Sequence, residues 1–260
     1  MMAERQRLDI VLCERGLAPT RAKARGMIMA GEVLVDGKVV DKPGTRVEPD
    51  VSLELKSKPR FVSRGGEKLA EALRVFQLDV RGRICADVGA STGGFTDCLL
   101  QNGAARVYAI DVGYGQLDYT LRQDSRVVVM ERTNARYLEK LADPVDLVVI
   151  DASFISLRLL LPVIKGWLTP QADVIALIKP QFEAGKQDVG KGGVVKDQAV
   201  HRRVLEAILS FSLDQDFSVR GLTRSPIKGP AGNVEFLVWL GWGYADQAVV
   251  SVEAIVSAVL

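Results

Sequence analysis

The pattern of apolar and polar positions divides the chain into two stretches with different rhythms. In the first stretch, apolar positions over 8–12 begin a helical face, and Gly16 ends that helix. Thr20 is placed to cap a second helix over 21–30, which stops at Gly31. Two short helices are therefore predicted at the start of the chain.

The same stretch continues with a hairpin signal. The pair Asp36-Gly37 separates two β-branched runs, and a further short strand is predicted over 51–55. The charged, proline-bearing segment that follows is typical of a linker. We therefore predict a small α+β domain over residues 1–58, a linker over 59–63 and a second domain over 64–260.

From about residue 64 the pattern changes to alternating strands and helices. Apolar runs such as 147–150 suit strands that are buried on both faces. The last two strands have only a glycine- and proline-bearing loop between them, which indicates an antiparallel hairpin. The fold class predicted is α/β, a Rossmann-like, mostly parallel sheet that ends in this hairpin. The predicted strands are 83–88, 106–111, 126–130, 145–150, 173–178, 217–223 and 234–239.

Composition narrows the classes of protein only a little. The 260 residues are 48% hydrophobic and 25% charged, and a net charge of +2 means that any nucleic-acid surface must be local. The most apolar stretch, 248–260, falls short of the roughly 20 residues that a membrane helix needs. Cys13, Cys85 and Cys98 form no CxxC pair, so we expect no disulfide framework, no metal site and a reducing cytoplasm.

A glycine-rich turn after the first strand of the second domain is a candidate cofactor loop. It matches neither the GxGxxG dinucleotide fingerprint nor a P-loop. Asp111 ends the next strand, where a carboxylate can accept hydrogen bonds from the ribose of a nucleoside. NAD and S-adenosylmethionine both remain candidates, and the missing fingerprint and the final hairpin favour S-adenosylmethionine. The predicted cofactor-binding residues are Asp87, Gly89, Ser91, Gly93, Gly94, Phe95, Asp111 and Asn134.

Four charged residues are candidates for catalysis. Asp151 and Lys179 each follow an apolar strand, Glu235 begins the last strand, and Lys68 precedes the first. Ligands of open α/β sheets bind at the carboxyl ends of the strands, and a charge there is costly unless it is paired or functional. A purely structural ion pair between Asp151 and Lys179 is the alternative interpretation.

These residues resemble the Lys-Asp-Lys-Glu tetrad of FtsJ-type ribose 2′-O-methyltransferases. The motifs SRGGEKL, DVGASTGGFTD, IDVGYGQL, ERTNAR, DASFISL, IKPQFEAG and GNVEF make the whole chain similar to the TlyA family, also labelled haemolysin A. The resemblance implies methyl transfer from S-adenosylmethionine to a ribose 2′-hydroxyl of ribosomal RNA, at a cytidine. By analogy Lys179 takes the proton, Asp151 orients it, and Lys68 and Glu235 position the ribose. The sequence leaves the protonation state of Lys179 open.

The N-terminal unit resembles the RNA-binding domain named after a small-subunit ribosomal protein of the S-four type. On its second helix Arg21 and Arg25 lie one turn apart with Lys23 nearby, and no acidic residue is among them. Such a face is suited to phosphates, although an ordinary solvated face is the alternative. The predicted RNA-binding residues are Arg15, Arg21, Lys23, Arg25, Lys38 and Lys42.

Two other functions compete with methyl transfer. A membrane-lytic protein is suggested by the haemolysin label, and a catalytically inactive ribosome-binding factor would use the sheet as a scaffold. Two further expectations follow from local sequence: His201 is expected at the surface, and 185–193 is expected to form a flexible loop at the active site. The sequence names neither the modified nucleotide, nor the ribosomal subunit, nor the oligomeric state.

Overall fold

The computed structural model describes residues 5–56, 59–245 and 251–260. The chain divides into two compact units, Met1–Pro59 and Arg60–Leu260. Residues 57 and 58 beside the predicted linker, and the beginning of the apolar tail at 248–250, lie outside the described residues.

The first unit packs two helices against short strands. Leu8, Leu12, Ala24 and Ile28 are fully buried and form the centre of its core. Thr20 caps the second helix as predicted, because its Oγ1 accepts a hydrogen bond from the backbone N–H of Lys23 at 3.2 Å. The elements are β1 (Gln6–Arg7), α1 (Leu8–Glu14), α2 (Arg21–Met29), β2 (Val33–Val35), β3 (Lys38–Val39), β4 (Arg46–Val47) and β5 (Leu53–Leu55).

The predicted hairpin joins β2 to β3. Asp36 and Gly37 at its tip have φ angles of 48° and 73°, the left-handed conformation that a tight hairpin turn requires. Strand β2 also pairs with β5, which gives a three-stranded sheet in the order β3-β2-β5. The two-residue strands β1 and β4 pair separately, and they are too short for an alternating pattern to reveal them.

The second unit alternates strands and helices as predicted. Its first elements are α3 (Gly65–Phe76), β6 (Ile84–Val88), α4 (Gly94–Gln101), β7 (Arg106–Ile110), α5 (Tyr119–Arg122), β8 (Val127–Met130), β9 (Val145–Ile150) and α6 (Leu157–Ile164). They are followed by β10 (Leu168–Ile178), α7 (Pro180–Glu183), α8 (Gln198–Asp214), β11 (Ser218–Arg224), β12 (Phe236–Trp242) and α9 (Val252–Val259).

These strands form one seven-stranded sheet in the order β11-β12-β10-β9-β6-β7-β8. The five strands from β10 to β8 are parallel, whereas β12 runs antiparallel to both β10 and β11. The predicted fold class, a mostly parallel sheet that ends in an antiparallel hairpin, is confirmed. Strand β12 starts later than predicted, so Glu235 directly precedes it.

Strand β9 shows how the sheet is buried on both faces. Val148 and Ile150 belong to the apolar cluster on one face, and Leu147 and Val149 belong to the cluster on the other. All four side chains are fully buried. The sheet is therefore the middle layer of three, and polar side chains that contact solvent are expected at the ends of its strands.

Within the described ranges, no helix is long and apolar enough to cross a membrane.

His201 is not at the surface, and this prediction was wrong. Only 6% of the residue is exposed. Its Nε2 lies 3.1 Å from the carbonyl oxygen of Val195, and its ring lies edge-on to Phe236 at 5.8 Å between centroids. The neighbouring arginines suggested a solvated face, but position 201 lies on the face of α8 that is packed against the sheet.

Candidate active site

The sheet topology gathers the four predicted charged residues at one edge. Asp151 and Lys179 directly follow the neighbouring parallel strands β9 and β10. Glu235 directly precedes β12, and because that strand is antiparallel its beginning pairs with the end of β10. Lys68 extends from the first turn of α3. Residues that are up to 167 positions apart in sequence thus meet in one cluster.

The four side chains form a chain of alternating charge. Lys179 Nζ lies 2.6 Å from Asp151 Oδ1, and Asp151 Oδ2 lies 3.9 Å from Lys68 Nζ. Lys68 Nζ in turn donates a hydrogen bond to Glu235 Oε2 at 2.6 Å. We call these four residues the charged tetrad.

Three of the four tetrad residues are largely withdrawn from water, and the side chain of Asp151 is 20% exposed. Lys68 and Lys179 are each 7% exposed, and Glu235 is 2% exposed. Taking a single charge out of water costs several kcal/mol, so buried charges persist only where they are closely paired. Each lysine of the cluster lies beside a carboxylate, so every buried member has a close partner of opposite sign.

Lys179 has contacts beyond the tetrad. Its Nζ donates hydrogen bonds to Ser153 Oγ at 2.9 Å and to the carbonyl oxygen of Asp151 at 3.3 Å. The ring of Phe182 lies 5.8 Å from Nζ. Ser153 was not singled out from the sequence, although it lies in the DASFISL motif, because nothing in a motif reports which serine faces the lysine.

The glycine-rich loop passes very close to the strand that carries Asp151. Gly89 has a φ of 84°, and a Cβ atom on it would lie 2.9 Å from the carbonyl oxygen of Asp151. Any other residue would therefore be strained by its backbone conformation and would press on the neighbouring loop. The glycine at this position is required by the close approach of two strand ends.

Asp111 connects the glycine-rich loop to the loop after β7. Its Oδ2 accepts a hydrogen bond from the backbone N–H of Ser91 at 2.8 Å, and its Oδ1 accepts one from Gly113 at 2.6 Å. Each carboxylate oxygen still has acceptor capacity for a ligand. Asn134 lies beyond the end of β8, where its Oδ1 accepts a hydrogen bond from the backbone N–H of Arg136 at 3.0 Å and caps a short 3₁₀ turn.

Asp87 lies behind the glycine-rich loop and is completely buried. One of its oxygens accepts a hydrogen bond from Thr96 Oγ1 at 2.6 Å, whereas Oδ1 is buried and has no hydrogen-bond partner among the described residues. Burial raises the pKa of Asp87 to about 7, and the nearby Asp151 carboxylate adds to the shift. The geometry thus assigns Asp87 to the support of α4 rather than to a cavity wall.

Two cavities open at this edge of the sheet. The first, which we call the tetrad cavity, has a volume of about 640 Å³ and is lined by all four tetrad residues together with Gly94 and Phe95. The second, the Asp111 cavity, has a volume of about 620 Å³ and is also lined by Asn134. Both are large enough for a nucleoside-sized ligand.

The two cavities share one stretch of wall. Gly89, Ser91, Asp151, Ser153 and Phe154 line both of them. A ligand in the Asp111 cavity and a ligand in the tetrad cavity would therefore meet beside Asp151. Of the predicted cofactor-binding residues, Asp87 and Gly93 line neither cavity.

The predicted flexible loop is held in place at its end. Asn233, which is 2% exposed, donates to the carbonyl oxygen of Gly193 at 2.9 Å and accepts from the backbone N–H of Val195 at 2.9 Å. Gly192, Gly193 and Asn233 all line the tetrad cavity. The loop is thus a wall of the site, and Asn233 is a residue that sequence reasoning missed.

In the first unit, the predicted RNA-binding residues fall into two groups. Arg21 donates a hydrogen bond to Asp9 Oδ2 at 3.0 Å, and Arg7 holds the same buried carboxylate. Arg15 donates to the backbone carbonyls of Val51 and Pro49. Arg21 and Arg15 thus also stabilise the fold. The remaining residues are exposed without such a described contact: Lys23, Arg25, Lys38 and Lys42.

Asp9 places a negative charge beside the basic face of the second helix. The helix with Arg21 contains no acid, but Asp9 reaches it from α1. Paired guanidiniums lower the pKa of Asp9, chiefly through the hydrogen bonds from Arg7.

In the described ranges, no group of three or more His, Cys, Asp or Glu side chains is placed to hold a metal ion.

Comparison with known families gives the class of the protein. The FtsJ-like methyltransferase model matches residues 61–242, which is most of the second unit. The S4 domain model matches residues 6–52 in the first unit. The second unit is an FtsJ-like methyltransferase, which confirms the enzyme class expected from the sequence.

Individual relatives agree over nearly the full length. The Bacillus subtilis protein YqxC, named as an rRNA methyltransferase, is 52% identical over 93% of this chain and 88% of its own. The 16S/23S rRNA (cytidine-2′-O)-methyltransferase TlyA of Mycobacterium tuberculosis is 49% identical over 92% of this chain and 91% of its own. The solved structure of a Streptococcus thermophilus protein named as a hemolysin is 44% identical, with a TM-score of 0.74, and covers 99% of this chain and 96% of its own. The chain belongs to the TlyA family.

The buried Asp87 predicts a specific dependence of stability on pH. Its pKa in the folded protein is raised from an ordinary value of 3.8 to about 7, so between these values the folded state binds more protons than the unfolded state. The free energy of unfolding therefore falls as pH rises through this window. In Asp87→Asn this loss should disappear, because the amide oxygen still accepts from Thr96 but does not titrate.

The measurement is urea unfolding at several pH values between 4 and 8. The three tryptophans, Trp167, Trp239 and Trp242, all lie in the second unit, so their fluorescence reports on it. The exposed Asp214→Asn is the matched control and should follow the wild type. If the free energy of unfolding changed with pH in the same way in the wild type and in Asp87→Asn, the prediction would be contradicted, because Asp87 would then be ionised in the folded protein at little cost in free energy.

Proposed function

We propose that this enzyme transfers the methyl group of S-adenosylmethionine to the ribose 2′-hydroxyl of a cytidine in ribosomal RNA. The observation that carries the proposal is the charged tetrad at the junction of two nucleoside-sized cavities. The relatives named for this reaction and the S4 domain support the substrate class. A ribosomal substrate also favours the cytoplasm as the site of action.

The Asp111 cavity fits the nucleoside part of the cofactor. Asp111 offers carboxylate oxygens for ribose hydroxyls, Asn134 offers an amide for an adenine edge, and Leu159 and Leu160 offer apolar surface. When bound, S-adenosylmethionine supplies an electrophilic methyl group on a sulfonium. Gly89 and Ser91, in the shared wall, are suited to contact the part of the cofactor nearest the tetrad.

The tetrad supplies the chemistry that a ribose hydroxyl needs. A 2′-hydroxyl is a weak nucleophile until a base accepts its proton. Lys179 is the proton acceptor in this proposal, and Asp151 at 2.6 Å holds its amine beside the junction of the cavities. Lys68 and Glu235, paired at 2.6 Å, position the ribose in the tetrad cavity. Holding the two reactants in line supplies much of the remaining rate.

The first unit is proposed to hold ribosomal RNA through its exposed cations. Lys23 and Arg25 on α2 and Lys38 and Lys42 beyond it are free to contact phosphates, whereas Arg21 shares its charge with Asp9. We propose that residues 1–58 form the RNA-binding domain and 64–260 the catalytic domain. Phosphate contacts of this kind position an RNA without reading its sequence.

Removal of the Asp111 carboxylate should weaken binding of S-adenosylmethionine by tenfold or more, because hydrogen bonds to a charged group contribute about 1.5–3 kcal/mol each. Asp111→Ala is compared with the wild type by titration calorimetry, with thermal unfolding as a check on the glycine-rich loop that Asp111 also holds. NADH is the control ligand and should not bind. Binding of NADH in place of S-adenosylmethionine would contradict the assignment of the Asp111 cavity to this cofactor.

Charge reversal at Lys23 and Arg25 should weaken RNA binding and flatten its dependence on salt. Each lost phosphate contact lowers the slope of log K against log salt by about one. Arg21 is left unchanged, because a glutamate there would face Asp9 and threaten the fold. Binding to ribosomal subunits is measured over a salt series for Lys23→Glu/Arg25→Glu.

The exposed pair Lys140→Glu/Arg224→Glu in the second unit is the control for the same change in overall charge. The affinity for S-adenosylmethionine should be unchanged in both variants. If the slope of log K against log salt equalled that of the wild type, the basic face of α2 would be an ordinary solvated face and not an RNA-binding one.

Lys179→Ala should abolish methyl transfer while the protein stays folded and binds both substrates. Loss of a general base typically lowers the rate by about 10² to 10⁴. Lys179→Arg should not restore activity, because a guanidinium keeps its proton. The assay is transfer of tritiated methyl groups to unmodified ribosomal subunits, with circular dichroism and cofactor binding as controls.

The two variants separate two roles. Near wild-type turnover in Lys179→Arg would make Lys179 a positioning cation rather than a base. Turnover in Lys179→Ala as well would contradict the tetrad assignment, because methyl transfer would then proceed without Lys179.

A further inference from the structure

Lys179 is surrounded by three acceptors. Its Nζ lies 2.6 Å from Asp151 Oδ1, 2.9 Å from Ser153 Oγ and 3.3 Å from the carbonyl oxygen of Asp151. An ammonium has three N–H groups and no lone pair, so three acceptors match its full set of donors. To accept a proton, Lys179 must first be a neutral amine with two N–H groups and one lone pair.

The identity of the three acceptors determines where that lone pair points. The carboxylate and the carbonyl of Asp151 can only accept, so they retain the two N–H groups of the amine. The hydroxyl of Ser153 can both accept and donate. The lone pair of a neutral Lys179 is therefore directed at Ser153, whose O–H is the group able to donate to it.

Ser153 is also placed where the substrates would meet. It is exposed, and it lines both the tetrad cavity and the Asp111 cavity. A ribose hydroxyl at the junction of the cavities would find the Ser153 oxygen on the way to Lys179, which is only 7% exposed. The serine thus connects the junction to the buried amine.

We propose that the proton of the ribose hydroxyl reaches Lys179 through the hydroxyl of Ser153, which makes Ser153 a further catalytic residue. The inference rests on the proposed function. The 2′-hydroxyl gives its proton to Ser153 Oγ while the Ser153 proton passes to Lys179 Nζ. The electron pair left on the ribose oxygen forms the new O–C bond. The S–C bond of the sulfonium breaks, and its electron pair stays on sulfur as a neutral thioether.

The sharpest test uses two substitutions of equal shape. Ser153→Thr keeps the hydroxyl, whereas Ser153→Val has nearly the same volume as threonine and carries a methyl group in place of the hydroxyl. Single-turnover methyl transfer to ribosomal subunits should fall about 10²-fold or more in Ser153→Val and stay within a few-fold of the wild type in Ser153→Thr. Affinities for S-adenosylmethionine and for ribosomal subunits should be unchanged in both, and Ser210→Ala on the exposed face of α8 is the neutral control.

A second readout counts the protons that move. In mixtures of H₂O and D₂O, the single-turnover rate of the wild type should follow a curve, because two protons move together, and Ser153→Thr should do the same. A linear dependence or no solvent isotope effect in the wild type would overturn the relay, as would an equal loss in Thr and Val. A wild type that transfers no methyl group to ribosomal RNA would contradict the proposed function itself, whatever the Ser153 variants do.

Discussion

Asp151 interacts with two lysines, and the arrangement of the site depends on this shared carboxylate. It lies 2.6 Å from Lys179 and 3.9 Å from Lys68, and Lys68 is balanced in turn by Glu235. Without Asp151, two lysines would be buried beside each other with only one acid, which low-polarity surroundings make costly. The pairing of β9, β10 and β12 in one register therefore brings the acids and the lysines close enough to balance each other.

The antiparallel strand β12 supplies the last member of this group. A parallel strand at that place would present its carboxyl end, near Trp242, at the edge of the sheet where Asp151 and Lys179 lie. Because β12 is reversed, Phe236 pairs with Ile178 and the residue before it, Glu235, reaches Lys68. The antiparallel end of the sheet thus supplies Glu235, the fourth member of the alternating set of charges.

A structural feature could be predicted from the sequence where it depended on residues that are neighbours in the chain. The positions of Asp151 and Lys179 were predictable, because an apolar run indicates a buried parallel strand and a charged residue directly after it indicates where that strand ends. The burial of His201 and the contact of Arg21 with Asp9 were not, since each depends on a partner from another element. Ser153 was hidden for the same reason, because its contact with Lys179 depends on how the loop after β9 places the serine oxygen beside the lysine nitrogen.

The glycine-rich loop packs directly against the backbone of Asp151, so a change in the loop would displace the tetrad. A side chain at Gly89 would push against the carbonyl oxygen of Asp151, the same atom that accepts a hydrogen bond from Lys179 at 3.3 Å. Displacement of that carbonyl would move the acceptor that fixes the direction of the amine, since catalytic geometry tolerates shifts of well under about 1 Å. The loop that shapes the wall between the two cavities therefore also sets the orientation of Lys179, through the backbone carbonyl that both of them contact.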